Sequence, residues 1–142
     1  MKLPVILSLC GRQTYMDQEP DVIELVTEGT MEKIGDTWLL CYEESELTGL
    51  AGVTTRFRIA PDRITLTRTG RLNSEMEFQE GVFHNSLYEM EFGALMITVC
   101  ASKIHTELSE KGGKIDLVYS IEIEQSTAGV IDYHLEIKPK EV

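Results

Sequence analysis

Apolar and polar side chains alternate with a period of two along most of this chain. Ile23, Leu25, Thr27, Gly29 and Met31 share one parity, and Glu24, Glu28, Thr30 and Glu32 take the other, with Val26 the exception. The same alternation sets Val53, Thr55, Phe57 and Ile59 against Thr54, Arg56 and Arg58. It recurs at Ile64 and Leu66, at Met76 and Phe78, at Tyr88, Met90 and Phe92, at Ile115 through Ile123, and at Ile131 through Ile137. Successive side chains of a strand point to opposite faces, so this pattern predicts antiparallel strands with one face buried and one in water. Turn residues fall between the runs: Gly35-Asp36, Ala60-Pro61-Asp62, Thr69-Gly70, Glu80-Gly81, Gly93, Gly112-Gly113 and Gly129. The pattern predicts about ten strands, at 3–14, 21–34, 36–44, 52–60, 62–69, 73–80, 82–92, 94–107, 113–124 and 130–138.

Two segments carry a competing helical signal. Glu43 to Leu50 is short and interrupted by Gly49, enough for one helical turn. Lys103 to Lys111 places Ile104 and Leu108 at i,i+4 with Gly112 as a C-cap. A β-branched run precedes it and Lys111-Gly112-Gly113-Lys114 suits a turn, so strand plus hairpin is preferred. Residues 1–142 read as a single domain, with no repeat, low-complexity tract or linker. Amphipathic antiparallel strands either stack as a sandwich or close on themselves, and closure removes exposed edges. Short connections throughout favour an all-β, closed, up-and-down antiparallel barrel of about eight to ten strands.

Composition narrows the function classes. The 142 residues contain 13 Lys plus Arg against 24 Asp plus Glu, a net charge of −11. Such an acid excess argues against nucleic acid, whose phosphates demand a basic footprint, and against anionic membrane surfaces. Three distant cysteines, Cys10, Cys41 and Cys100, contain no C-x-x-C pair. They fit reduced thiols buried in strands of a cytoplasmic protein. Met1 to Gly11 imitates a lipoprotein signal, but its apolar run is short, contains Pro4 and places Leu9 where cleavage wants a small residue. That segment is read as the first strand, and no stretch approaches the ~18 apolar residues of a membrane span.

Val22 to Val142 resembles the uncharacterised bacterial YwiB-like family, grouped with calycin-like, lipocalin-type β-barrels. The resembling pieces are Gly29, Gly35, Leu40-Cys41-Tyr42-Glu43-Glu44, Gly52-Val53-Thr54-Thr55, Ile64 through Gly70 and Met76 through Gly81, followed by Phe92-Gly93 and Gly113 through Tyr119. The resemblance implies a barrel whose interior is filled by side chains or holds one small ligand. It implies no activity.

The residues offer few chemical constellations. Arg56, Arg58, Arg63, Arg68 and Arg71 crowd one hairpin of an acidic chain. Pairing with acids across the strand, such as Arg63 with Glu75 or Glu77, accounts for the outward members. Arg68 differs, because it shares parity with Ile64 and Leu66 and so points inward, where a charge needs a partner or a polar ligand group. Thr55, His84, Tyr88, Tyr119 and Tyr133 also fall on apolar parities, with Thr27 beside them. A few polar groups among apolar neighbours describe a small-molecule lining, or hydroxyls satisfied within a packed core. His105 with Glu107, and Asp132 with His134 and Glu136, form stripes that a solvated face explains without metal. Cys100 and His105 lie five apart and so fall on opposite faces of a regular strand. Nucleophile-elbow, P-loop and dinucleotide-binding motifs are absent from the sequence.

The expectation is therefore a non-enzymatic cytoplasmic barrel without cofactor, metal, nucleic acid or membrane partner. It would bind a small apolar or amphipathic ligand in its interior through Arg68, His84, Tyr88, Tyr119, Tyr133 and Thr55. The alternative is an interaction or homo-oligomeric barrel that uses its outer surface, including the arginine-rich hairpin 56–71.

Overall fold

The chain winds as a meander in which nearly every strand is hydrogen-bonded to its sequence neighbours. The structure is a computed structural model and describes residues 2–14, 19, 21–44, 51–90, 93–124 and 126–140. The strands are β1 (Leu3–Thr14), β2 (Asp21–Ile34), β3 (Thr37–Glu43), β4 (Val53–Ile59) and β5 (Ile64–Gly70), then β6 (Ser74–Phe78), β7 (Phe83–Met90), β8 (Gly93–Ser109), β9 (Gly112–Ile123) and β10 (Ser126–Pro139). Their order in the sheet is β6-β5-β4-β3-β2-β1-β10-β9-β8-β7. The long first strand joins the last, Leu7 opposite Ile137 and Leu9 opposite Leu135. The ladders between these strands are antiparallel, and a single parallel bridge joins Glu80 to Ala101. The segment 103–111 is strand and turn, as its β-branched approach and glycine pair require. Of the other helical candidate, Glu43 ends β3 and 45–50 lie outside the described residues.

β6 meets β7 to bring the sheet round into a nearly closed barrel, but the two strands do not share a continuous ladder. Backbone pairs hold the ends of the seam: Asn73 and Glu89 exchange N–H to O bonds of 2.9 and 2.8 Å, and the Val82 N–H donates to Gln79 O at 3.0 Å. Between them, side chains bridge the gap. The Ser86 hydroxyl donates to the Glu75 carbonyl, and the Glu77 N–H donates to His84 Nδ1 at 3.3 Å. The residues of the two end pairs sum to 162 and 161. The Asn73–Glu89 pair is thus offset by one residue from the register that the side-chain bridges and the Gln79–Val82 pair share.

A second irregularity lies between β8 and β9, where the register shifts between Ala101 and Lys103. One extra residue reverses the facing of everything beyond it. Cys100, opposite Ser120, and His105, opposite Asp116, both end on the outer face. This corrects the opposite-face assignment made from a regular strand. The bulge also frees the Ile104 N–H, which donates to Glu80 Oε1 at 2.8 Å.

Inward side chains fill one half of the barrel. Val5, Leu7, Met31, Leu40, Phe57, Ile64, Phe78, Val99, Ile115 and Leu135 are all fully buried there. Gly29 makes a local adjustment on which the other half depends. It lies in the interior of β2 opposite Tyr42 of β3. A Cβ at this position would sit 2.5 Å from Cys41 O and 3.2 Å from Tyr42 Cβ. Strand glycines of this kind mark close backbone approach. Gly29→Ala is expected to lower stability by about 1–3 kcal/mol, the usual penalty for overpacking, and to push Tyr42 out of position. Denaturant unfolding measures the loss, and an unchanged midpoint contradicts the assignment.

Candidate functional site

Among the described residues, the side chains of the other half leave space between them. A cavity of about 430 Å³ lies at the end where β1, β3, β5, β7 and β9 finish and β2, β4, β6, β8 and β10 begin. Its wall is largely apolar, made by Leu9, Ile23, Met76, Leu95, Ile97, Ile121, Ile123 and Ile131. The polar lining is Gln13, Tyr42, Glu44, Arg68, Tyr88, Tyr119 and Tyr133. Small-molecule sites in proteins commonly measure roughly 300–1,000 Å³, with a few polar groups set in apolar walls. A more open groove of about 880 Å³ runs along the β2–β3 boundary and shares Tyr42 and Glu44 with the interior cavity.

Phe57 lies behind the lining, packed against two of its tyrosines. Its ring lies 6.4 Å from that of Tyr42 and 5.9 Å from that of Tyr133, so the two phenols stand on it and face the cavity. Their hydroxyls are 3.4 Å apart. Across the sheet, Tyr42 is opposite Thr55, Thr55 opposite Arg68, and Arg68 opposite Ser74. One inward rung thus carries tyrosine, threonine, arginine and serine in succession. Glu44 occupies the next inward position beyond Tyr42, and its N–H donates to Val53 O at 2.9 Å, which extends the β3–β4 pairing to it.

This polar cluster is buried and incompletely paired. Glu44 is 8% exposed and Thr55 is fully buried. Among the described residues, Glu44 Oε1, Thr55 Oγ1, Arg68 Nε and Ser74 Oγ are buried and meet no hydrogen-bond partner. Buried polar atoms are normally paired, so four such atoms in one cluster set it apart from the rest of the interior. Burial pushes the Tyr42 hydroxyl well above the usual phenol range, against a smaller opposing effect of its Tyr133 hydrogen bond. Burial likewise raises Tyr133, and the neighbouring Tyr42 adds to the effect. Both groups are neutral phenols at physiological pH.

The predicted interior residues separate into three places. Arg68, Tyr88, Tyr119 and Tyr133 come together in the cavity wall. Thr55 is buried beside Tyr42 and Arg68 but beneath the lining. His84 lies outside the cavity: its inward parity carries the ring into the seam, where Nδ1 accepts from Glu77 and Nε2 lies 3.8 Å from Glu77 Oε2. Tyr42 and Glu44 are members that the sequence reading did not single out. Their signal is the alternation of Leu40, Tyr42 and Glu44, which the adjacent acids Glu43-Glu44 disguise as a solvated strand end.

The remaining candidates lie on the outer wall. Arg56 and Arg58 are exposed; Arg63 pairs with Glu77 at 2.7 Å and with Asp62 at 3.4 Å, and Arg71 donates to Ala51 O at 3.0 Å. His134 hydrogen-bonds Asp116 on the neighbouring strand and lies 3.5 Å from Glu136. Among the described residues, no three His, Cys, Asp or Glu side chains converge to hold a metal ion.

The His134 hydrogen bond to Asp116 holds the imidazole above its ordinary value of 6.5 and the carboxyl below its ordinary 3.8. The histidine contribution is fully present below about 6.5 and disappears as pH rises through the raised value. The aspartate contribution is present above about 3.8 and disappears as pH falls through the lowered value. The pair therefore stabilises most between those limits. His134→Asn is expected to lower the melting temperature by about 1–3 °C near pH 5, for a part-exposed pair worth about 0.2–1 kcal/mol, and by less at pH 9. Equal losses at both pH values contradict this.

Comparison with known proteins accords with the barrel. A family profile described as a domain of unknown function, DUF1934, matches residues 7–137. The chain belongs to the DUF1934 family. This DUF1934 chain is similar to the uncharacterized beta-barrel protein YwiB of Bacillus subtilis (strain 168), with 27% identity over 108 residues, 75% of this chain and 74% of that protein. The crystal structure of the ywiB protein from Bacillus subtilis superposes with a TM-score of 0.88 at 21% sequence identity, covering 99% of this chain and 94% of that one. The all-β architecture expected from the alternation is thus shared with a solved relative. Among the described residues, no helix is long and apolar enough to cross a membrane.

Proposed function

We propose that this DUF1934 barrel binds one small amphipathic molecule in its interior. The observation that carries the reading is the space left at one end of the barrel, with an apolar wall and incompletely paired polar groups among and behind its lining. An apolar ligand body against Ile97, Ile121 and Ile131 would leave water at about 25 cal/mol per Å² of buried surface. Its head would lie against the phenols of Tyr42 and Tyr133. No catalytic role is assigned to these residues. They bind and orient.

Titration with N-phenylnaphthylamine, an uncharged probe that brightens in apolar surroundings, tests this reading. Saturable enhancement at one probe per chain, reversed by decanol, is expected. Non-saturating enhancement, or none, contradicts it.

A second reading draws on the outer face of β7 and β8. Phe83 is 68% exposed there, with Leu87 and Met96 also exposed. Cross-strand pairing sets Leu87 opposite Met96. Association would use this apolar strip rather than the arginine-rich hairpin. Light scattering expects a dimer that Phe83→Ser dissociates; a wild-type monomer at high concentration removes this reading.

A further inference from the structure

The polar end of the cavity carries two formal charges among its described lining residues, and they are opposite. Glu44 supplies one and Arg68 the other. Both act on the same two phenols: Arg68 favours ionisation of Tyr42 and Tyr133, and Glu44 opposes it. The 3.4 Å phenol pair therefore shares the cavity lining with a carboxylate and a guanidinium whose influences on it are opposite in sign. The buried orphan atoms show the same duality, since among the described residues Glu44 Oε1 is an acceptor that meets no donor and Arg68 Nε a donor that meets no acceptor.

We infer that the ligand is an uncharged amphiphile whose head both donates and accepts hydrogen bonds, as a hydroxyl or a primary amide does. This rests on the interior-binding reading above and names the chemical class it takes. A carboxylate head would gain from Arg68 but would be desolvated beside Glu44 in an acidic protein. An ammonium head would meet the converse, drawn by Glu44 and repelled by Arg68. Each ion thus meets one repelling charge as it loses its hydration. A neutral head avoids that penalty and offers a donor towards the Glu44 side and an acceptor towards Arg68 and the phenols. The phenols, kept neutral by burial, spend one of their two protons on the hydrogen bond that joins them and keep acceptor capacity for such a head. Recognition by paired donors and acceptors also discriminates strongly, because a head that lacks one of them leaves a buried group unsatisfied.

Four ligands of equal chain length separate the possibilities: decanol, decanamide, decanoate and decylammonium, each competing with N-phenylnaphthylamine at neutral pH. Decanol and decanamide are expected to displace the probe at concentrations roughly tenfold lower than either ion. Glu44→Gln leaves Arg68 unopposed and is expected to shift preference towards decanoate. Arg68→Met leaves Glu44 unopposed and is expected to shift it towards decylammonium. Wild-type protein that binds decanoate or decylammonium as tightly as decanol overturns the inference while interior binding stands. Failure of the probe and all four ligands to bind overturns the interior reading itself, and this inference with it. The wild-type series decides the question even where a variant does not fold.

Discussion

Phe57→Ala is expected to destabilise the protein by about 3–5 kcal/mol, the range seen when a fully buried aromatic is truncated. Phe57 is 2% exposed and packs directly behind Tyr42 and Tyr133, which line the cavity. Its neighbours across the sheet are Leu40 and Leu66, and its ring supports Tyr42 and Tyr133. Removing it takes away packing behind the lining and extends the existing cavity, with little chance for the cage of strands to collapse. A melting temperature lower by about 10 °C or more follows for a chain of this size. Denaturant unfolding should show a lower midpoint with an unchanged slope, the mark of lost stability without altered compactness. Phe57→Leu, which keeps most of the volume, should recover most of the loss. A truncation that costs less than about 1 kcal/mol would show that the ring does not support the lining tyrosines.

The second large effect concerns the cavity itself. Ile121 is half-buried in the apolar wall, opposite Val99 on one side and Gly129 on the other. Ile121→Trp directs an indole into unfilled space rather than into packed core, so the overpacking penalty of about 1–3 kcal/mol should be largely avoided. Binding of N-phenylnaphthylamine is expected to weaken by at least about tenfold, some 1.4 kcal/mol, while the melting temperature changes little. Unaltered binding would place the probe elsewhere on the molecule. A weakened site in a stable variant ties binding to the interior.

The strands were legible because one face of each is buried and the other wet, so the period of two survives in the sequence. Even 103–111, with its helical spacing at Ile104 and Leu108, resolves correctly once the turn glycines are weighed. The interior placement of Arg68 followed from the same parity. Other features depend on a single residue of register and leave no such trace. The bulge between Ala101 and Lys103 brings Cys100 and His105 to one face, and nothing in the local composition marks it. His84 holds an inward parity, yet the splayed seam between β6 and β7 takes its ring away from the cavity. Tyr42 and Glu44 were legible in principle from the alternation with Leu40. The charge of Glu44 conceals it, because a carboxylate on a buried parity runs against the usual exclusion of charge from interiors.

The acid excess also acquires a local meaning. Outward carboxylates such as Glu24, Glu28 and Glu89 are exposed, whereas Glu44 is turned inward and matched by Arg68. The site is thus electrically balanced inside a strongly acidic chain.

The most direct measurement is a crystal structure of the protein with decanol. The account predicts one molecule inside the barrel, its chain along Ile97, Ile121 and Ile131 and its hydroxyl within hydrogen-bonding distance of Tyr42 or Tyr133. An interior closed by the protein's own side chains, or decanol bound only on the outer wall, would contradict it.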